Sequence, residues 1–176
     1  MQITPNSELW THHRMRNVFL FFAGLFVASC VRPPEYSDVP TLEFRSFSKD
    51  TMRQGVFSED SVFLVLYFTD GDGDFGTPGQ GTQKNIFIKD KRTNQTFREF
   101  KAPFVPVEGT GNGISGTITI KLFSTCCIYP EPSGIFPCEV SDEFPYNDLA
   151  LEVFITDRAE NKSNTITTPA LRLQCN

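Results

Sequence analysis

From residue 42 onward, apolar residues recur with period two in short bursts, and no stretch sustains helical spacing for three turns. The bursts are Leu42 to Phe47, Ser61 to Thr69, Asn85 to Asp90, Thr96 to Lys101, Ile114 to Phe123, Leu149 to Asp157 and Asn164 to Leu173, which predicts seven strands. In the fifth, Ile114, Ile118, Ile120 and Leu122 share one face while Ser115, Thr117, Thr119 and Lys121 share the other, the pattern of a half-buried strand. Val62-Phe-Leu-Val-Leu-Tyr-Phe68 is apolar at every position, which predicts a central strand, covered on both sides or lying near the sandwich middle. Turn residues in Asp90-Lys-Arg-Thr-Asn-Gln95 and Arg158-Ala-Glu-Asn161-Lys162 predict hairpins. Short strands at regular spacing predict an all-β fold, an antiparallel sandwich over residues 41–176. Strand count makes it immunoglobulin-like or fibronectin-III-like, although the Cys-Trp-Cys signature of antibody-type domains is absent.

The first part of the chain is patterned differently. Arg14 and Arg16 precede an apolar run from Val18 to Ala28 that ends in Ala28-Ser29-Cys30. A basic start, a short apolar segment and small residues at the cut are the parts of a secretory signal, here residues 1–29, with Met15 the more typical start. At about eleven residues the run is half of the ~20 needed to span a bilayer. Val27-Ala28-Ser29-Cys30 resembles the bacterial lipobox, with Val27 in the place of the commoner Leu. The resemblance implies a diacylglycerol thioether on Cys30 and cleavage on its amino side. Two or three acyl chains exceed the single-chain anchoring that is marginal and reversible, so the expected address is a membrane. Residues 30–40, with Pro33, Pro34 and Pro40, predict an extended spacer between lipid and domain.

Cleavage changes what the composition means. The chain's 16 basic and 21 acidic residues lose Arg14, Arg16 and Glu8 and become 14 and 20, a net charge of −6 that argues against a nucleic-acid partner. His12, His13 and Trp10 also leave, which removes the commonest general base and metal ligand at neutral pH. With 18 Phe in the chain, an aromatic-rich core is expected. Of five cysteines, Cys30 takes the lipid, and Cys126, Cys127, Cys138 and Cys175 predict two disulfides in an exported protein. Without His, and without ribbon or finger spacing, they do not suit zinc. Adjacent Cys126 and Cys127 would point to opposite faces of an extended segment, so each seeks a different partner. That leaves Cys126 to Cys138 with Cys127 to Cys175, or Cys127 to Cys138 with Cys126 to Cys175. Shared parity of Leu122 with Cys126, and of Leu171 and Leu173 with Cys175, favours the second.

Asp70-Gly-Asp-Gly-Asp-Phe-Gly76 follows the most apolar strand and gathers three carboxylates on residues that permit tight curvature. Such a group suits a hard cation such as Ca²⁺, which takes six to eight oxygens at about 2.3–2.6 Å. Asp70, Asp72 and Asp74 resemble the Asp-x-Asp-x-Asp start of calcium loops in EF-hands and thrombospondin-type repeats. The resemblance then stops, because Phe75 and Gly81 stand where an EF-hand has Gly and Glu. Further oxygens would come from carbonyls, water or a second loop, with Asp157 the first candidate and Asp142 or Asp148 the next. The alternative is a solvated turn in which the Asp side chains cap their own backbone. Gly79-Gln-Gly81 and Gly109-Thr-Gly-Asn-Gly113 lack the Lys and the following helix of a P-loop and read as loops.

Together these segments, with Ile155-Thr-Asp-Arg-Ala-Glu-Asn-Lys-Ser-Asn-Thr165, resemble envelope lipoproteins of Bacteroidota-type bacteria. The last motif is similar to the Asp-x-x-Gly-Asn-x-Ser hairpin of bacterial immunoglobulin-like modules, with Glu160 in the place of Gly. The resemblance implies an outer-membrane lipoprotein and no particular activity. The expected function is a non-enzymatic binding or structural module, facing an unknown protein or glycan and stabilised by Ca²⁺. The alternative is a small carboxylate-dependent hydrolase using Glu139 with Asp142, or Asp148 with Glu152. No Ser, Cys or carboxylate has a recognisable activating base, which disfavours it.

Overall fold

The computed structural model describes residues 35–57, 59–79, 81–106 and 113–176. The expected signal segment, the lipobox-like residues with Cys30, Pro33 and Pro34 of the expected spacer, and residues 109–112 of the second glycine run lie outside the described residues. Among the described residues the fold is all-β, with ten strands and no helix. The strands are β1 (Thr41–Phe47), β2 (Thr51–Arg53), β3 (Ser61–Asp70), β4 (Ile86–Asp90) and β5 (Gln95–Phe100). They continue as β6 (Ile114–Phe123), β7 (Tyr146–Leu149), β8 (Leu151–Ile155), β9 (Ile166–Thr167) and β10 (Leu171–Gln174).

Three sheets form, ordered β1-β3-β6, β5-β4-β8-β9 and β2-β10-β7, and every pairing is antiparallel except β10 with β2. Inward positions of all three feed one core. Leu42, Leu64, Leu66 and Leu122 come from the first sheet, Ile88, Val153 and Ile155 from the second, and Met52, Leu149 and Leu173 from the third. This is a β-sandwich arrangement, with each such aliphatic side chain contributing roughly 1.5–3 kcal/mol on burial.

Two of the expected seven strands are each divided, for an identifiable reason. The strand expected over residues 149–157 holds β8 and only the last residue of β7, which starts earlier, at Tyr146; the chain changes sheets at Ala150, where β7 leaves β10 and β8 joins β4. Residues 164–173 divide in the same way into β9 and β10 around Pro169, which has no N–H for a ladder. The third addition, β2, is only three residues long, too short for an alternation to register. β3 is central, as its composition predicts, but its outer face is open: Phe63 is 47% exposed, while Val62, Leu64, Leu66 and Phe68 point inward. Arg45 covers part of that outer face by lying 4.6 Å from the Tyr67 ring centroid.

The cysteines pair as Cys126 with Cys138 and Cys127 with Cys175, at Cα separations of 4.5 and 5.9 Å. This corrects the pairing that strand parity favours. β6 ends at Phe123, and the inward alternation through Leu122 and Ser124 slips by one residue, so Cys127 turns into the core and Cys126 stays half-buried. A slip of one reverses every face beyond it. The Gln54 side chain seals the inner bridge: its Oε1 accepts from Cys127 N–H and its Nε2 donates to the carbonyls of Cys175 and Glu139. Arg92 braces the same end, paired with Asp90 and donating to the Cys126 carbonyl and to Asn147 Oδ1.

Candidate metal centre

The site begins with strand periodicity. Asp70 closes β3 on the same parity as Leu66 and Phe68, so its carboxylate is carried inward and is fully buried. The loop after it then folds back over it. Gly73 and Gly76 adopt φ of 70° and 86°, and a Cβ on Gly76 would lie 2.0 Å from the Pro103 carbonyl oxygen, so no other residue fits there. Phe75 drops its ring against Phe68, with centroids 4.6 Å apart, and its N–H donates to Asp70 Oδ2 at 2.9 Å. The aromatic that breaks the EF-hand pattern is therefore the plug that seats this loop on the core.

The third carboxylate arrives from the other sheet. Asp157 follows β8 and is buried. Its Oδ1 accepts from the Asn161 N–H at 2.7 Å and its Oδ2 from Asn161 Nδ2 at 2.9 Å. Glu160 takes φ 68°, the left-handed turn that Gly supplies in the similar hairpins. Asp74, half-buried, accepts from the Arg158 N–H at 3.3 Å, which ties the two loops together.

Carboxylate oxygens of Asp70, Asp74 and Asp157 consequently lie within 4.8 Å of one another. Asp72 is not in this group. It is exposed, and its Oδ1 accepts the Asp74 N–H at 3.4 Å in a local turn, so it acts on the site through its charge. Asp142 and Asp148 are also elsewhere; Asp148 faces Arg172 at 3.9 Å on β7. Three of the four carboxylates considered for hydrolysis have other contacts, Asp148 with Arg172 among them. Glu139 Oε2 accepts the Phe136 N–H, and Glu152 faces Lys91 at 3.7 Å on a different sheet from Asp148.

The electrostatics of the trio are unbalanced. Burial, and then the charges of Asp72 and Asp74, push the Asp70 carboxyl up to about 7, against the opposing Phe75 hydrogen bond; Asp157 adds to the rise. Burial and the charges of Asp157 and Asp72 raise Asp74 as well, with Arg158 opposing. Among the described residues none of the five ion pairs reaches these three side chains. Arg158 is adjacent, but its guanidinium donates to the carbonyls of Gly76 and Val105 and lies over Phe104. Asp70 Oδ1 is buried with no hydrogen-bond partner, a state that costs at least about 1–3 kcal/mol and more when the group is charged.

The donor set selects a class of ion. It holds carboxylate oxygens and no nitrogen or sulfur, which suits hard cations rather than zinc or copper. Oxygens bound to one Ca²⁺ at 2.3–2.6 Å lie at most about 5 Å apart, and the 4.8 Å span meets that limit. The sequence pattern alone does not reveal the role of Asn161 or Phe75; the Asp-x-x-x-Asn spacing of residues 157–161 is the signal for the first. Comparison with protein-family models, with curated proteins and with solved structures gives no match.

Proposed function

We propose that this chain is a lipid-anchored, non-enzymatic binding or structural module of a bacterial envelope, with a Ca²⁺ ion joining the two main sheets at one end of the domain. The observation that carries the metal part is Asp70 Oδ1, buried without a partner and facing two further carboxylates. A divalent cation supplies the missing partner and removes the repulsion. When bound, it would be held by Asp70 and Asp74 from the loop after β3 and by Asp157 from the loop after β8.

The envelope part rests on sequence: the Val27-Ala28-Ser29-Cys30 segment resembles a lipobox and supports a lipid anchor, and its combination with the proline spacer, the Asp70–Gly76 loop and residues 155–165 supports an outer-membrane lipoprotein of Bacteroidota type. The two disulfides support an exported protein. Strand order supports the immunoglobulin-like or fibronectin-III-like reading, since β1, β3 and β6 form one sheet and β5, β4, β8 and β9 a second, with β2, β10 and β7 as a further small sheet. The presenting surface is the end away from the metal site, where the loops before β3 and after β6 expose Phe57 and Phe136 by 85% and 71%. Bare aromatics on loops braced by a disulfide suit a protein or glycan partner.

Thermal melting with Ca²⁺ and with chelator tests the metal part. Extracellular calcium modules bind at about 10⁻⁴–10⁻³ M. At 10 mM Ca²⁺ that range corresponds to about 1.4–2.7 kcal/mol of added stability. Equal melting temperatures in 10 mM Ca²⁺ and in EGTA would remove the ion from the proposal. Mass spectrometry of the membrane-extracted protein tests the anchor: a diacylated Cys30 supports it, and its absence overturns it.

A further inference from the structure

The segment that leads from the anchor into the domain is seated on the metal loop. Gly71 N–H, one residue past Asp70, donates to the Ser37 carbonyl at 2.7 Å. The two chains are so close that a Cβ on Gly71 would lie 2.4 Å from the Tyr36 carbonyl oxygen and 2.6 Å from Ser37 C. From the other side Gly113 closes the sandwich: its Cβ would meet the Tyr36 ring at 2.8 Å and the Asp70 carbonyl at 2.9 Å. Tyr36 and Ser37 therefore lie in a slot whose floor is the backbone of Asp70 and Gly71. The same backbone carries the carboxylate that the ion would hold.

We infer that Ca²⁺ occupancy of the Asp70, Asp74 and Asp157 site clamps the incoming segment at Tyr36 and Ser37, so that the ion sets whether residues 35–38 lie fixed on the metal loop or come free of it. This rests on the calcium reading. With the ion bound, Asp70 is held from three directions: its ladder in β3, the Phe75 N–H and the metal. Gly71 then presents a fixed donor to Ser37. Without it, mutual repulsion of the carboxylates loosens the loop from Gly71 to Gly76, and the Ser37 contact weakens with it. The half-buried Tyr36 ring beside Gly113 is the apolar part of this seat, while Glu35, Ser37 and Asp38 around it are exposed polar residues. The Gly71 to Ser37 hydrogen bond, one residue from Asp70, is the contact to this segment that a change in Ca²⁺ reaches first.

Limited proteolysis of the full chain in detergent micelles, in 10 mM Ca²⁺ and in EGTA, reads this directly. Chymotrypsin cleavage after Tyr36 and Glu-C cleavage after Glu35 should be at least tenfold slower with Ca²⁺, with slower hydrogen exchange at the Gly71 amide. A melting temperature that rises with Ca²⁺ while both cleavage rates and Gly71 exchange stay constant overturns the clamp and leaves the metal site standing. No change in any of these overturns both. Gly71→Ala separates the two functions, because its added methyl displaces Tyr36 and Ser37 and leaves the carboxylates in place. It should keep the Ca²⁺ shift in melting temperature and lose the Ca²⁺-dependent protection at Tyr36. A Gly71→Ala protein that keeps that protection refutes coupling through this contact.

Discussion

Replacing Asp70 with Asn isolates the electrostatic cost of the site. A carboxyl held at about 7 in the folded chain and at 3.8 when unfolded binds more protons folded than unfolded across the whole interval. Stability of the chelated protein must therefore fall as pH rises from about 4 to about 7. At about 1.4 kcal/mol per pH unit the full interval corresponds to about 4 kcal/mol. A few degrees per kcal/mol for a domain of this size translates this to a drop in melting temperature of roughly 10–15 °C. Asp74 is raised too, which steepens the fall. Asp60 behaves in the opposite sense. Burial works against its ionisation, but hydrogen bonds from Lys49 and the N–H groups of Arg53 and Ser61 still hold it below its ordinary value. Its contribution is lost only below pH 3.8, outside the window.

Differential scanning fluorimetry from pH 5 to pH 8, in EGTA and in 10 mM Ca²⁺, is the assay. In EGTA the wild type should melt lower at pH 8 than at pH 5, while Ca²⁺, competing with the proton for Asp70, should restore most of the loss near pH 8 and little near pH 5. Asp70→Asn keeps an oxygen for the Phe75 N–H but carries no charge. It should flatten the slope in EGTA, melt above the wild type at pH 8, and lose the Ca²⁺ response. A wild type whose melting temperature in EGTA is constant between pH 5 and pH 8, or an Asp70→Asn protein less stable than wild type at pH 8 in EGTA, refutes the reasoning.

Mild reduction followed by alkylation and mass spectrometry should label Cys126 and Cys138 before Cys127 and Cys175, because the inner pair is fully buried and the outer pair is partly exposed. On the chain-entropy model, replacing Cys127 and Cys175 with Ser removes about 4 kcal/mol, against about 3 kcal/mol for the outer pair, since the closed loops span 48 and 12 residues. Urea denaturation of the two double variants checks the order. Glu160→Gly should stabilise by about 0.5–1 kcal/mol, because relief of the left-handed φ of 68° exceeds the added freedom of the unfolded chain; a neutral or negative shift in urea midpoint refutes this. Arg92→Ala leaves buried Asp90 unpaired and the Cys126 carbonyl without a donor, and should cost about 3–5 kcal/mol in the same assay.

How far these features can be read from sequence depends on how local their causes are. Alternation in Ile114 to Leu122 reports burial directly, and β6 keeps that face inward. The apolar run of β3 carries no such contrast, because Phe63 and Tyr67 occupy outward positions that polar residues would mark; centrality is legible there and the open outer face is not. The sheet change at Ala150 leaves the alternation of Leu149 and Leu151 intact, so only the identity of the pairing partner separates β7 from β8.

The cysteines and the acidic loop show the same limit from two sides. Parity holds only while the chain is a strand, and it is lost between Ser124 and Cys127, where the backbone leaves the ladder; one residue of slip exchanges the partners of both bridges. Asp70 and Asp157 come together because each lies at or just past the end of a strand whose parity and direction the sandwich imposes. Their meeting follows from two regular elements ending at the same level, so the pairing of Asp157 with the Asp70 loop was accessible to reasoning about strand ends. Asp72 shows where such reasoning fails. In the alternating Asp-Gly-Asp-Gly-Asp spacing it looks equivalent to its neighbours, yet once Phe75 is committed to the core the loop must turn at Gly73, and that turn brings Asp74 inward and leaves Asp72 in solvent. Which carboxylates of this loop join the cluster is thus decided by the apolar residue beside them, through the burial of one ring.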